Sequence, residues 1–338
     1  MLLAVEATTA RQEHSKQYGY LTYRSGLRRM KLRAEDGRRA LAVAALAALL
    51  TTSCGGTAGG DDGPGGGPLQ VVATMSVFAD FAEAVGGDLV DVTSLVPVGG
   101  DPHTFEPTPS VSAEISDADV VLDNGLGLSP WFEPLATNVS GELVILTDAI
   151  AERSLRAGEK IDPHMWMVPT FVDEGYLTAI EDAFTKADPD NAQTYAGNAD
   201  AYRERLAGLD AELREQFATI PEENRKLVTS HDAYSYFADH YGLTVSGSVI
   251  GVTTEEEPSA QAVTQLVDTV RRENVPAIFV ETTVNPDLID QVAREAGVEV
   301  GEPLYGDSVG EPGSGAADYL GMMRANVASI VDALGGRS

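Results

Sequence analysis

The sequence predicts an α/β protein of two lobes, each a mainly parallel β-sheet flanked by helices, joined by one long rigid α-helix. Three observations carry this. Tyr195, Ala199, Tyr202, Leu206, Leu209, Leu213 and Phe217 recur at steps of three and four, the stripe of an amphipathic helix. Asp188 as N-cap with Pro189 at the first helical position, and Pro221 as a stop, make residues 188–220 one helix about 45 Å long, as long as a small domain is wide. Short strand-like runs alternate with helix-like runs on both sides of it, the rhythm of parallel pairing through crossover connections.

Residues 1–53 carry a signal region. Arg28, Arg29, Lys31, Arg33, Arg38 and Arg39 form a basic stretch, Ala40 to Leu50 an apolar run, and Thr51-Thr52-Ser53 a small-residue site before Cys54. Eleven apolar residues are too few to cross a bilayer as a helix. Residues 1–29 are foreign to such a signal, which makes Met30 the expected start. Residues 54–68 continue from Cys54 as a flexible, Gly-rich linker, GGTAGGDDGPGGGP, with no means of forming a core.

The first lobe is expected over residues 69–187. Leu69 to Ala73 has the pattern of a buried strand, and Val77 to Val85 that of a helix stopped by Gly86-Gly87. A strand Val90 to Val96, a helix Ser110 to Ser116, a strand Asp119 to Leu122, a short helix Pro130 to Asn138 and a strand Leu143 to Leu146 follow. After the spine, residues 221–338 form the second lobe. Its strands are Leu227 to Thr229, Thr244 to Ile250, Ala277 to Val280 and Val298 to Leu304. Its helices are Tyr234 to Tyr241, Ala260 to Glu273, Pro286 to Ala296 and Asp318 to Leu334. Open parallel sheets bind ligands in the crevice at their strand ends.

Of 338 residues, 43% are hydrophobic and 22% charged, enough for real cores. Residues 1–68 hold 9 Lys/Arg and 6 Asp/Glu, leaving 14 and 46 for residues 69–338, a balance of −32. Such a body repels nucleic acid and anionic lipid and attracts cations, so no nucleic acid is expected as a partner. One cysteine, Cys54, excludes an internal disulfide framework and a Cys-rich zinc module.

Five histidines are present, and His14 lies in the signal region. His103 sits in Gly99-Gly100-Asp101-Pro102-His103-Thr104-Phe105-Glu106-Pro107, where flanking prolines stiffen the loop. His164 repeats the device in Asp162-Pro163-His164-Met165-Trp166, and His231 follows directly on a strand. In each Asp-Pro-His the carboxylate is placed to orient the ring by accepting its second N–H. His240, near a helix end, has a structural role. Three histidines in matching settings with a carboxylate form a first shell for Zn²⁺ or Mn²⁺. Asp307, in Tyr305-Gly306-Asp307-Ser308, is the carboxylate that best fits, with Glu281 in reserve as a supporting group or alternative ligand. Asp232 and Asp101 are expected behind the ligands.

These motifs, with DNGLGLSPWFEPL (123–135), YAGNADAYRERLAGLDAEL (195–213), SHDAYSYFADHYGL (230–243) and IFVETTVNP (278–286), resemble the metal-binding solute-binding lipoproteins of ABC importers, the cluster carrying zinc or manganese. The resemblance runs in family order over roughly residues 69–338. It implies two α/β lobes joined by one long helix, with the metal between them on His103 and His164 from the first lobe and His231 and Asp307 from the second. It also implies lipidation of Cys54, an extracytoplasmic, membrane-anchored location, and an ABC permease with its ATPase as partners of a monomer. The metal is cargo. Manganese-type members often place Glu at the position of His231, so His here favours zinc, with manganese second. Many zinc members also carry a His- and Asp-rich loop before the second His motif, whereas Ala151 to Ile161 is short and free of histidine. A continuous hinge helix limits opening. The rival readings are a metal-dependent hydrolase on the same histidines, a surface adhesion protein with structural metal, and a receptor for chelated metal. No HExxH or Gly-x-Ser-x-Gly pattern supports the hydrolase.

Overall fold

The computed structural model describes residues 67–157, 160–255 and 258–337. The signal region and Cys54 lie outside the described residues, and so do all but the last two of the linker residues. No helix among the described residues is long and apolar enough to cross a membrane.

The first sheet is built from β1 (Leu69–Ala73), β2 (Val90–Ser94), β3 (Val120–Asp123) and β4 (Glu142–Ile145), all parallel, in the order β2-β1-β3-β4. Side chains alternate across it as strand geometry dictates. Val71, Ala73, Val120 and Leu122 enter the main core, while Val72 and Val121 enter a smaller cluster under α2 (Pro109–Asp117). Helix α1 (Ser76–Gly86) covers the main-core face with Phe78, Phe81 and Val85 fully buried. The expected helix Pro130 to Asn138 is instead a series of turns ending in a single 3₁₀ turn, Ala136–Asn138.

A short antiparallel pair, β5 (Arg156–Ala157) with β6 (Lys160–Ile161), precedes the His164 loop. A helical stretch that the sequence reading left unassigned follows. It begins at Pro169–Phe171, passes through a π-helical turn Val172–Leu177, and continues as α3 (Thr178–Ala187).

The spine is α4 (Ala192–Phe217), 26 residues and about 39 Å long. Its buried residues are the seven of the predicted stripe. Its start differs from expectation: Pro189–Asn191 is a 3₁₀ turn, and Asp188 makes no side-chain cap to the backbone. The Asp188 carboxylate instead accepts from Asn191 Nδ2 at 2.6 Å and Tyr195 OH at 2.9 Å, which tie the turn to the helix.

Beyond the spine lie β7 (Lys226–His231), α5 (Ser235–Tyr241), β8 (Thr244–Ile250), α6 (Ala260–Glu273), β9 (Ala277–Ile278), α7 (Asp287–Ala296), β10 (Glu299–Val300) and α8 (Tyr319–Ala333). Strand β7 pairs parallel with β8, and β9 with β10. A parallel bridge Thr229–Phe279 joins the pairs, giving the order β8-β7-β9-β10, and the bridge Glu281–Leu304 prolongs the β9–β10 pairing. This is the first sheet's topology repeated. The expected strand Val298 to Leu304 is regular only at Glu299–Val300, although its last residue keeps the bridge to Glu281.

Helix α4 serves both lobes. Tyr195 packs on Phe184 of the first lobe with ring centroids 5.5 Å apart, and Phe217 packs on Phe237 of the second at 5.4 Å. Helix α8, late in the chain, returns to the first lobe: Tyr319 meets Phe81 edge-on at 5.0 Å, and its amide donates to Asp80. One continuous core therefore runs from Val71 to Leu334 through the spine.

Candidate metal centre

All four candidate donors sit on loops or strand ends at one edge of the sheets. His231 closes β7, Asp307 follows the Leu304 bridge, and the two Asp-Pro-His loops enter from the first lobe. His103, His164, His231 and Asp307 each offer one atom such that all lie within 4.8 Å of one another. All four are buried, His103 the least so at 2% exposed.

The two Asp-Pro-His loops are built alike. Asp101 Oδ1 accepts the His103 amide at 2.8 Å, and Asp162 Oδ1 accepts the His164 amide at 3.0 Å, an Asx turn in each case. Each proline carbonyl is held as well, Pro102 by Trp131 Nε1 at 2.8 Å and Pro163 by Asn124 Nδ2 at 3.0 Å. Beyond the turn the loops differ. Asp162 Oδ1 also lies 2.7 Å from His164 Nδ1 and orients the ring. The other oxygen of Asp101 accepts from the hydroxyls of Thr104 and Thr254, so it does not reach the His103 ring. Both ring nitrogens of His103 are buried with no hydrogen-bond partner among the described residues.

For His231 the orienting carboxylate is Glu281. Its Oε2 lies 2.8 Å from His231 Nδ1, while Oε1 accepts the His231 amide at 2.9 Å and lies 3.1 Å from Ser230 Oγ. Asp232, expected behind the ligands, accepts from Ser235 Oγ at 3.0 Å instead of from a ligand ring. His240 bonds Asp210 on the spine at 2.6 Å, which fits its structural reading.

With Nδ1 of His164 and His231 engaged, their Nε2 atoms face each other 3.2 Å apart. Asp307 Oδ2 lies 3.6 Å from His103 Nε2 and 3.9 Å from His231 Nε2, and its Oδ1 lies 3.6 Å from His164 Nε2. Four donors about 2.0–2.2 Å from a central ion stand about 3.3–3.6 Å apart in a tetrahedron, so the set, all within 4.8 Å, needs only a small contraction to hold one ion. Both Asp307 oxygens are buried without a hydrogen-bond partner among the described residues. An unpaired buried carboxylate beside unpaired imidazole nitrogens is costly unless a cation joins them.

Electrostatics divide the ligands. Burial, then the neighbouring His164 and His231, holds His103 well below the ordinary histidine range; burial and His231 do the same to His164. Burial would lower His231 too, but the charges of Glu281 and Asp307 outweigh it and raise it to about 10. Burial lifts Asp307 to about 7, against the pull of His231. These opposite directions fit His231 Nε2–H as the donor to His164 Nε2 and His164 Nδ1–H as the donor to Asp162. A metal ion would take the place of that shared proton.

The sequence reading missed Asn124 and Trp131, which hold the loop carbonyls. They stand inside a motif stretch, but no spacing signals a side chain whose partner is a backbone atom.

Residues 71–333 match the family described as zinc-uptake complex component A, periplasmic. The chain is 38% identical over 290 residues to the manganese-binding lipoprotein MntA of Halalkalibacterium halodurans, covering 85% of this chain and 95% of that one. It is 37% identical over 305 residues to the MntA of Bacillus subtilis, covering 87% and 98%. Its fold is similar to that of the periplasmic zinc binding protein TroA from Treponema pallidum, with a TM-score of 0.77, 29% identity, and coverage of 80% of this chain and 100% of that one.

Proposed function

Because this chain belongs to the family of zinc-uptake complex component A proteins, the metal-binding receptors of ABC importers, we propose that it captures one divalent transition metal ion on His103, His164, His231 and Asp307 and delivers it to a membrane permease and its ATPase. The observation that carries this reading is the convergence of four buried donors, two of them orphaned, within 4.8 Å of one another. Glu281 supports His231 and is not a ligand, since both its oxygens are engaged. Zinc is the favoured cargo, because three imidazoles and one carboxylate make a closed, nitrogen-rich set. Manganese is the second reading, supported by the names of relatives such as the two MntA proteins. Residues 69–187 and 221–338 act as the two lobes of the receptor. Cys54 anchors it by lipid outside the membrane, as the relatives' designation as lipoproteins supports. Four protein donors complete a tetrahedral shell by themselves, which suits capture and release better than hydrolysis.

Competitive titration with zinc and manganese, with bound metal quantified, tests this reading. The expected result is one zinc per chain, held about 100-fold or more tightly than manganese. His231→Glu should narrow that ratio. No stoichiometric metal in either protein overturns the assignment, and tighter manganese binding by the unsubstituted chain overturns the choice of zinc alone.

A further inference from the structure

Two of the three histidines have their rings set by a carboxylate of their own lobe, Asp162 for His164 and Glu281 for His231. Asp307 has no such partner, since neither carboxylate oxygen meets a donor among the described residues. Its aim is therefore fixed by its backbone, and that backbone is gripped on both sides from across the cleft. On one side, Trp166 Nε1 donates to the Gly306 carbonyl at 3.0 Å. Within its own lobe Gly306 packs closely on Glu281, where a Cβ would stand 2.8 Å from Oε2. On the other side, two buried hydroxyls close a circuit. Ser308 Oγ accepts the Gly99 amide at 2.8 Å and donates to the Val309 carbonyl at 2.8 Å. Ser76 Oγ, 3.2 Å from Ser308 Oγ, accepts the Val309 amide at 3.3 Å, which leaves its own proton for Ser308. Ser76, Gly99 and Trp166 precede the spine; Gly306, Ser308 and Val309 follow it.

We propose that Ser76, Ser308 and Trp166 form an inter-lobe latch that positions Asp307, so that the carboxylate is aimed at the metal only while the first lobe holds the 306–309 loop. The inference rests on the metal-binding reading above. Separation of the lobes withdraws the Asp307 support, whereas His164 and His231 keep their own orienting carboxylates. Loosening the latch therefore speeds metal release and leaves capture by the histidines nearly untouched.

The test is a double-mutant cycle on the full chain, with zinc release to a chromophoric chelator followed by stopped flow. Ser308→Ala should raise the dissociation rate about tenfold, the scale of one or two buried hydrogen bonds, with the association rate within about twofold. In an Asp307→Asn background the same substitution should change release by less than about twofold, because the group it positions is already gone. Trp166→Phe, which keeps an aromatic ring and loses the N–H, should follow the same pattern and serves if Ser308→Ala folds poorly. Equal effects of Ser308→Ala and Trp166→Phe in both backgrounds would show that they act on the fold and not through Asp307. No effect in the unsubstituted background would also overturn the latch. If the unsubstituted protein binds no stoichiometric zinc, the metal-binding reading fails; if it binds zinc and the cycle is additive, the latch fails alone.

Discussion

On the proposed reading, a metal ion and a proton compete for one nitrogen at His231. Its ring is raised to about 10 because Glu281 and Asp307 outweigh the effect of burial. Below that pH, binding must displace a proton, so affinity should fall about tenfold per pH unit between pH 9 and 7. Asp307, raised to about 7 by burial, adds a second proton in more acid solution and steepens the fall toward about a hundredfold per unit. Zinc dissociation constants measured by competition from pH 6 to 9 check this, and a flat profile would mean that His231 is already neutral. Much of the site was legible at this scale: the twin Asp-Pro-His loops, the strand-end His231 and Asp307 announce themselves by residue type and placement. The role of Glu281 was not legible, because ligand and support differ only in whether a carboxylate faces Nε2 or Nδ1, and that depends on side-chain direction. Asn124 and Trp131 left no signal, since gripping a backbone carbonyl demands no motif.

The spine helix was predicted with its buried face complete, because one apolar stripe at helical steps admits little else. Its first turn was not, since Asp188 spends its carboxylate on Asn191 and Tyr195 instead of on the backbone amides. The stretch before it escaped notice for another reason. Its buried positions Val172, Tyr176, Ile180 and Phe184 recur every four residues across the π turn Val172–Leu177, a helical stripe that went unassigned. Tyr176 OH lies 2.8 Å from Asn124 Oδ1, behind the His164 loop. On α4, Leu209 is fully buried midway between the parts that pack on each lobe. Leu209→Ala should lower unfolding free energy by about 2–5 kcal/mol. In urea, both lobes should lose structure in one transition. Two separated transitions would contradict a shared core.

At the scale of the whole molecule, two sheets of the same strand order bring their strand ends to one donor cluster, and a continuous core runs behind it. The acidity of residues 69–338, −32 in net charge, raises the local concentration of cations around the protein. The doubling of topology was readable from the alternation of strands and helices. The return of α8 onto the first lobe was not, because an amphipathic pattern shows which face is buried and not what buries it. The central claim is that His103, His164, His231 and Asp307 hold one transported ion. Anomalous X-ray diffraction at the zinc edge from metal-loaded crystals tests it most directly. The account predicts a single strong peak about 2.0–2.2 Å from three imidazole Nε2 atoms and Asp307. A peak at another place, or none between the lobes of a protein that has bound zinc, would contradict it.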